Sequence, residues 1–178
     1  MKNLKSSLII AGIVLMALPA FSQSWKIDAS KASIKFVTSG PFGEVDGSLA
    51  GLKGTITFDQ NSPEKGSMEV TIDPNTIESG VGMRNTHLKE KEEFFNTAKY
   101  PLISFKSKKI SKTTTGSYIV TGDLTIKTVT KSIDIPFTFD KTGTGGTFKG
   151  SFTMDSHDYT VNDSSKKVTV NLEVPVTQ

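Results

Sequence analysis

His87 and His157 are the two histidines of the chain, and each has carboxylates close by in sequence. Glu90 follows His87 on the same stretch, and His157 lies between Asp155 and Asp158. Imidazole beside carboxylate could bind a transition metal or relay a proton. Either chemistry asks for further groups at suitable spacing. Neither neighbourhood forms such a pattern, so both histidines are expected to be structural or hydrogen-bonding side chains. Nucleophilic catalysis has no better footing, because no serine sits in a Gly-x-Ser-x-Gly turn between a strand and a helix. Gly143-Thr144-Gly145-Gly146 lacks the lysine and following helix of a phosphate loop and reads as a hairpin turn. With zero cysteines there can be no disulfide, thiolate metal site or cysteine-linked lipid. These residues predict no enzyme, no metal and no cofactor.

What positions the remaining side chains is a β-rich chain behind an export leader. Lys2 and Lys5 precede an apolar run from Leu8 to Leu18. Pro19-Ala20-Phe21-Ser22 then places small residues three and one positions before a cut after Ser22. The run is short of the ~20 apolar residues that span a bilayer. Residues 1–22 are therefore expected to be a cleaved signal peptide, and residues 23–178 a single domain that is periplasmic or secreted and does not span a membrane. The mature length of 156 residues (178 minus 22) is enough for a substantial core. Without Lys2 and Lys5 the balance is 19 basic against 18 acidic residues, which is not the charge of a nucleic-acid binder. Lys106, Lys108, Lys109 and Lys112 read as a solvated strand end and turn.

Apolar residues recur with period two along most of the mature chain. Ile34 and Phe36, Ile56 and Phe58, and Met68, Val70 and Ile72 each alternate with polar neighbours. So do Ile103 and Phe105; Tyr118, Val120, Leu124 and Ile126; Ile133, Ile135, Phe137 and Phe139; Phe148, Phe152 and Met154; and Val168 to Val176. Gly122 and Gly150 interrupt two of these runs as bends. Turn signals at Gly40-Pro41, Asn61-Ser62-Pro63, Asp73-Pro74-Asn75 and Thr115-Gly116 separate the runs. About eight antiparallel strands result, which can form a sandwich or close into a barrel; the barrel is the preferred expectation, and closure would remove exposed edges and leave room for one slender ligand.

One segment breaks the pattern. Residues 83–96 read as a helical insertion, with Met83, His87 or Leu88, and Phe94 or Phe95 on an apolar side and Lys89 to Glu92 solvated. Pro101 returns the chain to an extended course. A lone helix in such a chain is expected to cover an end of the barrel. The candidate ligand-binding side chains are the inward-parity aromatics Phe36, Phe58, Phe105, Tyr118, Phe137, Phe139 and Phe152, with Leu88, Phe94 and Phe95 from the helical segment.

Arg84-Asn85-Thr86-His87-Leu88, Glu93-Phe94-Phe95-Asn96 and Tyr100-Pro101-Leu102-Ile103-Ser104-Phe105 together resemble the Arg-Asp-x-His-Leu, Phe-Phe-Asp and Tyr-Pro-x-Ile-x-Phe signature of the YceI-like family. Trp25-Lys26-Ile27-Asp28, Gly54 to Asp59, Thr71-Ile72-Asp73, Ile77 to Gly80 and Gly122 to Lys131 extend the likeness over nearly all of the mature chain. The resemblance implies an extended eight-stranded, lipocalin-like antiparallel barrel exported to the periplasm. Its lumen would hold a polyisoprenoid or similar amphiphilic lipid, such as an isoprenoid quinone. Arg84 and His87 would then sit near the helix-covered mouth, beside the ligand's polar end. The chain departs from the pattern at Asn85, an aspartate in the family, at Thr128, a glycine, and at Ser156, an arginine. The competing expectation is a secreted, stress-related barrel with a filled core that binds a partner through its loops. A homodimer is compatible with either reading, though no residue pattern specifies one.

Overall fold

Period-two burial in the structure follows the apolar alternation of the sequence. The computed structural model describes residues 23–40, 43–114, 116–162 and 166–178. The expected signal peptide, and the turn residues Pro41 and Thr115, lie outside the described residues. Along β7 (Ser117–Ile126), Tyr118, Val120, Leu124 and Ile126 are all buried while Ile119, Thr121, Asp123 and Thr125 are half-exposed. A strand with one dry and one wet face must lay the dry face on a core. Here the core is the inside of a barrel.

The remaining strands are β1 (Ser24–Ile27), β2 (Ser33–Gly40), β3 (Gly43–Leu49), β4 (Lys53–Thr57), β5 (Ser67–Ile72), β6 (Ile103–Thr114), β8 (Val129–Thr142), β9 (Gly145–Asp155) and β10 (Lys167–Thr177). All pair antiparallel in one sheet, and β1 returns to pair with β10. The ten strands make eight staves. β1 and β2 follow one another along the same edge of β10, with Ile27 opposite Val176 and Ile34 opposite Leu172. β3 and β4 do the same along β2 and β1. The expected eight-stranded antiparallel barrel is what forms, with two of its staves interrupted. β3 was not anticipated: Gly43-Glu44-Val45-Asp46-Gly47-Ser48-Leu49 has no apolar alternation and is a strand because β2 pairs with its whole length.

The helical insertion is shorter than the sequence suggests. α1 spans Gly82–Glu90 rather than residues 83–96, and Lys91 is already extended. The physical reason is the run Lys89-Glu90-Lys91-Glu92-Glu93, which offers no apolar stripe to bury. The chain instead folds back under the helix, where Phe95 N–H donates to the Leu88 carbonyl and Thr97 N–H to that of Lys89. Its buried face is also rotated from expectation. Met83 and His87 are exposed, whereas Asn85 is buried and Leu88 half-buried. Among the described residues no helix is long and apolar enough to cross a membrane.

Candidate functional site: a barrel plugged at one end and hollow at the other

The inward side chains divide into two populations. At the end formed by the start of β7 and the end of β8 they are packed solid. Phe58 is 0% exposed and has Tyr118, Phe137, Phe139 and Phe148 around it, with ring centroids 5.0 to 5.5 Å away. Trp25 stands edge-on to Phe139 at 4.9 Å, and its indole N–H donates to the Phe58 carbonyl at 2.9 Å. Such ring pairs contribute about 0.5–1.5 kcal/mol each beyond their buried area. This end is closed by aromatic packing.

At the other end the inward side chains are only half-buried, although they face away from solvent. Met68, Val70, Ile103, Phe152, Met154, Val170 and Leu172 are all of this kind. They surround a cavity of about 290 Å³ whose walls also include Phe36, Leu88, Phe94, Phe95, Phe105 and Phe137. That volume lies at the lower edge of the ~300–1,000 Å³ usual for ligand pockets. Two rings gain room from a glycine on the next strand. A Cβ on Gly47 would run into the Phe36 ring, and one on Gly122 would come within 2.6 Å of the Phe105 ring. Gly122 thus serves close packing as well as the irregular register beside Ser107.

Of the side chains the sequence nominated, Phe36, Leu88, Phe94, Phe95, Phe105, Phe137 and Phe152 come together around the cavity. Phe58, Tyr118 and Phe139 belong to the packed end and do not line it. Arg84 and His87 do not line it either. Arg84 donates through Nη1 to the Ser79 carbonyl, and His87 points to solvent. The cavity also takes in the aliphatic side chains Leu49, Leu52, Ile56, Met68, Val70 and Ile77, which are not among the nominated residues. For Ile56, Met68 and Val70 the signal was present, because they share the inward parity of their strands. Among the described residues no three histidine or acidic side chains converge as a metal site.

The segment that carries Phe94 and Phe95 is tied down at several points. Lys127, at the turn between β7 and β8, donates from Nζ to the Glu92 carbonyl at 2.7 Å and the Thr160 carbonyl at 2.9 Å. The Asn162 N–H donates to the Glu93 carbonyl at 2.6 Å. These bonds fasten residues 92–95 across the hollow end, opposite the aromatic plug. Lys127→Met keeps the aliphatic stem and removes the ammonium. It should cost about 1–2 kcal/mol and raise amide hydrogen exchange across residues 91–100 several-fold. Unchanged exchange there would mean that the ammonium holds nothing in place.

Asn85 anchors the entry to α1. Its Oδ1 accepts from Ser79 N–H at 2.9 Å and from Ser79 Oγ at 2.7 Å, and its Nδ2 donates to Glu78 Oε1 at 2.7 Å. That donation, with the Gly80 N–H, holds the Glu78 carboxyl below its usual range. Full hydrogen bonding is why a polar side chain can occupy the buried face of the helix. Asn85→Ala would strand two donors of buried Ser79, at about 1–3 kcal/mol per unsatisfied group, so a loss of about 2–4 kcal/mol is expected. Asn85→Asp, the residue of the family pattern, would face Glu78 with a second carboxylate. The pKa of that aspartate would rise on folding, so the variant is closest to wild type in acid and falls away as pH rises through the carboxylate range. Denaturant unfolding at pH 4 and pH 7 measures both. A gap between variant and wild type that widens in acid would contradict the assignment.

The YceI-like domain profile matches residues 25–177. A UPF0312 protein of Photorhabdus laumondii is 32% identical over 136 residues, covering 75% of this chain and 70% of the relative. Protein YceI of Escherichia coli O157:H7 is 31% identical over 139 residues, covering 76% and 71%. Among solved structures, Burkholderia cenocepacia BcnA superposes with a TM-score of 0.79 at 23% identity, over 84% of this chain and 99% of that one. A Saccharophagus degradans domain described as polyisoprenoid-binding superposes with a TM-score of 0.66 at 14% identity, over 88% and 99%. The barrel, its inserted helix and the match over residues 25–177 make this chain a member of the YceI-like family.

Proposed function

We propose that the chain is an exported, non-catalytic binding protein that shelters the hydrocarbon tail of an amphiphilic lipid in the hollow half of its barrel, an isoprenoid tail being the best match in shape. The observation that carries this reading is the largely apolar cavity of about 290 Å³, walled mainly by aliphatic and phenylalanine side chains and ending on an aromatic plug. The Saccharophagus degradans domain with the same fold is described as binding polyisoprenoids, which is consistent with it. A solid interior would instead have favoured the partner-binding alternative.

Energetics set the class of cargo. Each buried methylene contributes about 0.8 kcal/mol, against association and ordering costs of about 4–15 kcal/mol. Roughly ten carbons therefore do little more than offset those costs, and affinity should climb with tail length until the lumen is full. Native mass spectrometry of protein purified gently from its own host tests the proposal, together with uptake of geranylgeraniol added to stripped protein. A co-purifying lipid mass and uptake that strengthens from shorter to longer prenyl alcohols are expected. Protein that carries no lipid and takes up no prenyl chain would sink it. Export is tested separately by N-terminal sequencing of the mature protein, which should begin at Gln23.

A further inference from the structure

The cavity wall carries a single charged side chain among the described residues, Lys166. It is half-buried and pairs with no carboxylate among the described residues. Its surroundings are polar. The Ser156 N–H donates to the Lys166 carbonyl at 2.9 Å, and Thr38 Oγ1 donates to the Lys167 carbonyl at 2.9 Å. Thr38, Ser39 and Ser156 all line the cavity at this rim. Ser156 is 6% exposed, and its hydroxyl is buried without a hydrogen-bond partner among the described residues.

Two other cations on the segments around this end are already engaged among the described residues. Lys127 Nζ is held by two carbonyls, and Arg84 by one. The Asp155 carboxylate accepts from the His157 and Lys166 N–H groups, bracing the turn beneath this rim. A cavity-lining lysine with no carboxylate partner among the described residues, opposite a buried serine hydroxyl that none of them bonds, is complementary to a compact anion on a hydrocarbon tail.

We infer that the lumen selects amphiphiles with an anionic head, a phosphate or a carboxylate, seated at the rim formed by Lys166, Ser156 and Thr38, and not beneath α1. This rests on the lipid-binding reading above and adds the head-group class and its place. It also accounts for the serine at position 156. With Lys166 beside it, that position has to supply a hydroxyl donor and not a second cation.

Tail-matched competition measures the selectivity below micellar concentrations: farnesyl phosphate against farnesol, and myristate against tetradecan-1-ol. A charge-assisted contact should favour the anion about tenfold. If both anions lead their alcohols, the site reads negative charge in general. If only one does, it reads phosphate or carboxylate specifically, and either result supports the inference. Lys166→Gln should abolish the preference by weakening anion binding about tenfold, and the exposed neighbour variant Lys167→Gln should preserve it. Ser156→Ala should weaken anion binding with Tm unchanged or raised, since it deletes an unpartnered buried hydroxyl. Equal binding of alcohol and anion by wild type, or a preference that survives Lys166→Gln, would overturn the inference with lipid binding intact. Failure of every probe to bind would instead overturn the lipid-binding reading on which it rests.

Discussion

Phe105→Asp should unfold the barrel or leave it too unstable to take up any tail. Phe105 is buried in the middle of the hollow half, paired across β5 and β7 with Val70 and Leu124. Its ring lies against Gly122, where a Cβ would also come within 2.6 Å of the Lys106 carbonyl, so the backbone there has little room to yield. A carboxylate at this position would have apolar strand partners on both sides and no cation among its pairing residues. Burying such a charge unpaired costs about 3–5 kcal/mol, a large part of the ~5–15 kcal/mol that holds a domain together. Phe105→Leu is the companion variant. It keeps the lumen apolar and should fold and bind, with a loss of roughly 1–2 kcal/mol from imperfect filling. Denaturant unfolding of both variants and uptake of a prenyl alcohol decide the matter. Near-wild-type stability and uptake in the aspartate variant would mean that the ring at 105 does not face the lumen, and that the cavity is not the binding site.

The parity that places Phe105 inside was readable from Ile103-Ser104-Phe105-Lys106 alone, because a strand with one wet face must turn the other inward. The same reasoning located the dry faces of β7, β8 and β10. It could not reveal β3, whose glycines and acids carry no alternation and which is defined by pairing with β2. The helical segment was recognisable but its register was not. A period-3.6 search ranks Met83 above Asn85 for burial, whereas three hydrogen bonds to Glu78 and Ser79 reverse that order. Parity also cannot tell a filled lumen from a hollow one. Phe58 and Phe105 look alike in sequence, yet one is locked among four rings and the other borders open space. That difference depends on which strands bring rings to the same level, a property of stagger around the closed barrel. Arg84 and His87 are the chargeable residues on the segment expected to cover the mouth, whereas the charged side chain that lines the cavity among the described residues, Lys166, stands where the chain enters β10 beside β2 and β9.

Phe58→Ala tests the plug, and its two expected effects pull apart stability from binding. Truncating a fully buried phenylalanine costs about 3–5 kcal/mol, from lost transfer energy and from the cavity left behind. The site has little freedom to collapse, because the four surrounding rings come from three different strands, β7, β8 and β9, and are packed on one another, Phe139 and Phe148 at 4.3 Å. The upper part of that range is therefore expected. The second effect follows from position. Phe137 and Phe148 touch Phe58 on one side and line the cavity on the other. Removing the ring between them extends the hollow half toward the closed end, so the tail length that binds best should move to longer prenyl chains even though the protein is weaker. Unfolding midpoints and a chain-length series on the same variant measure both. A loss near 1 kcal/mol would mean that the rings repack and the plug is soft. A full loss with an unchanged length optimum would mean that the tail does not run toward this end, and the orientation of the ligand along the barrel would have to be reversed.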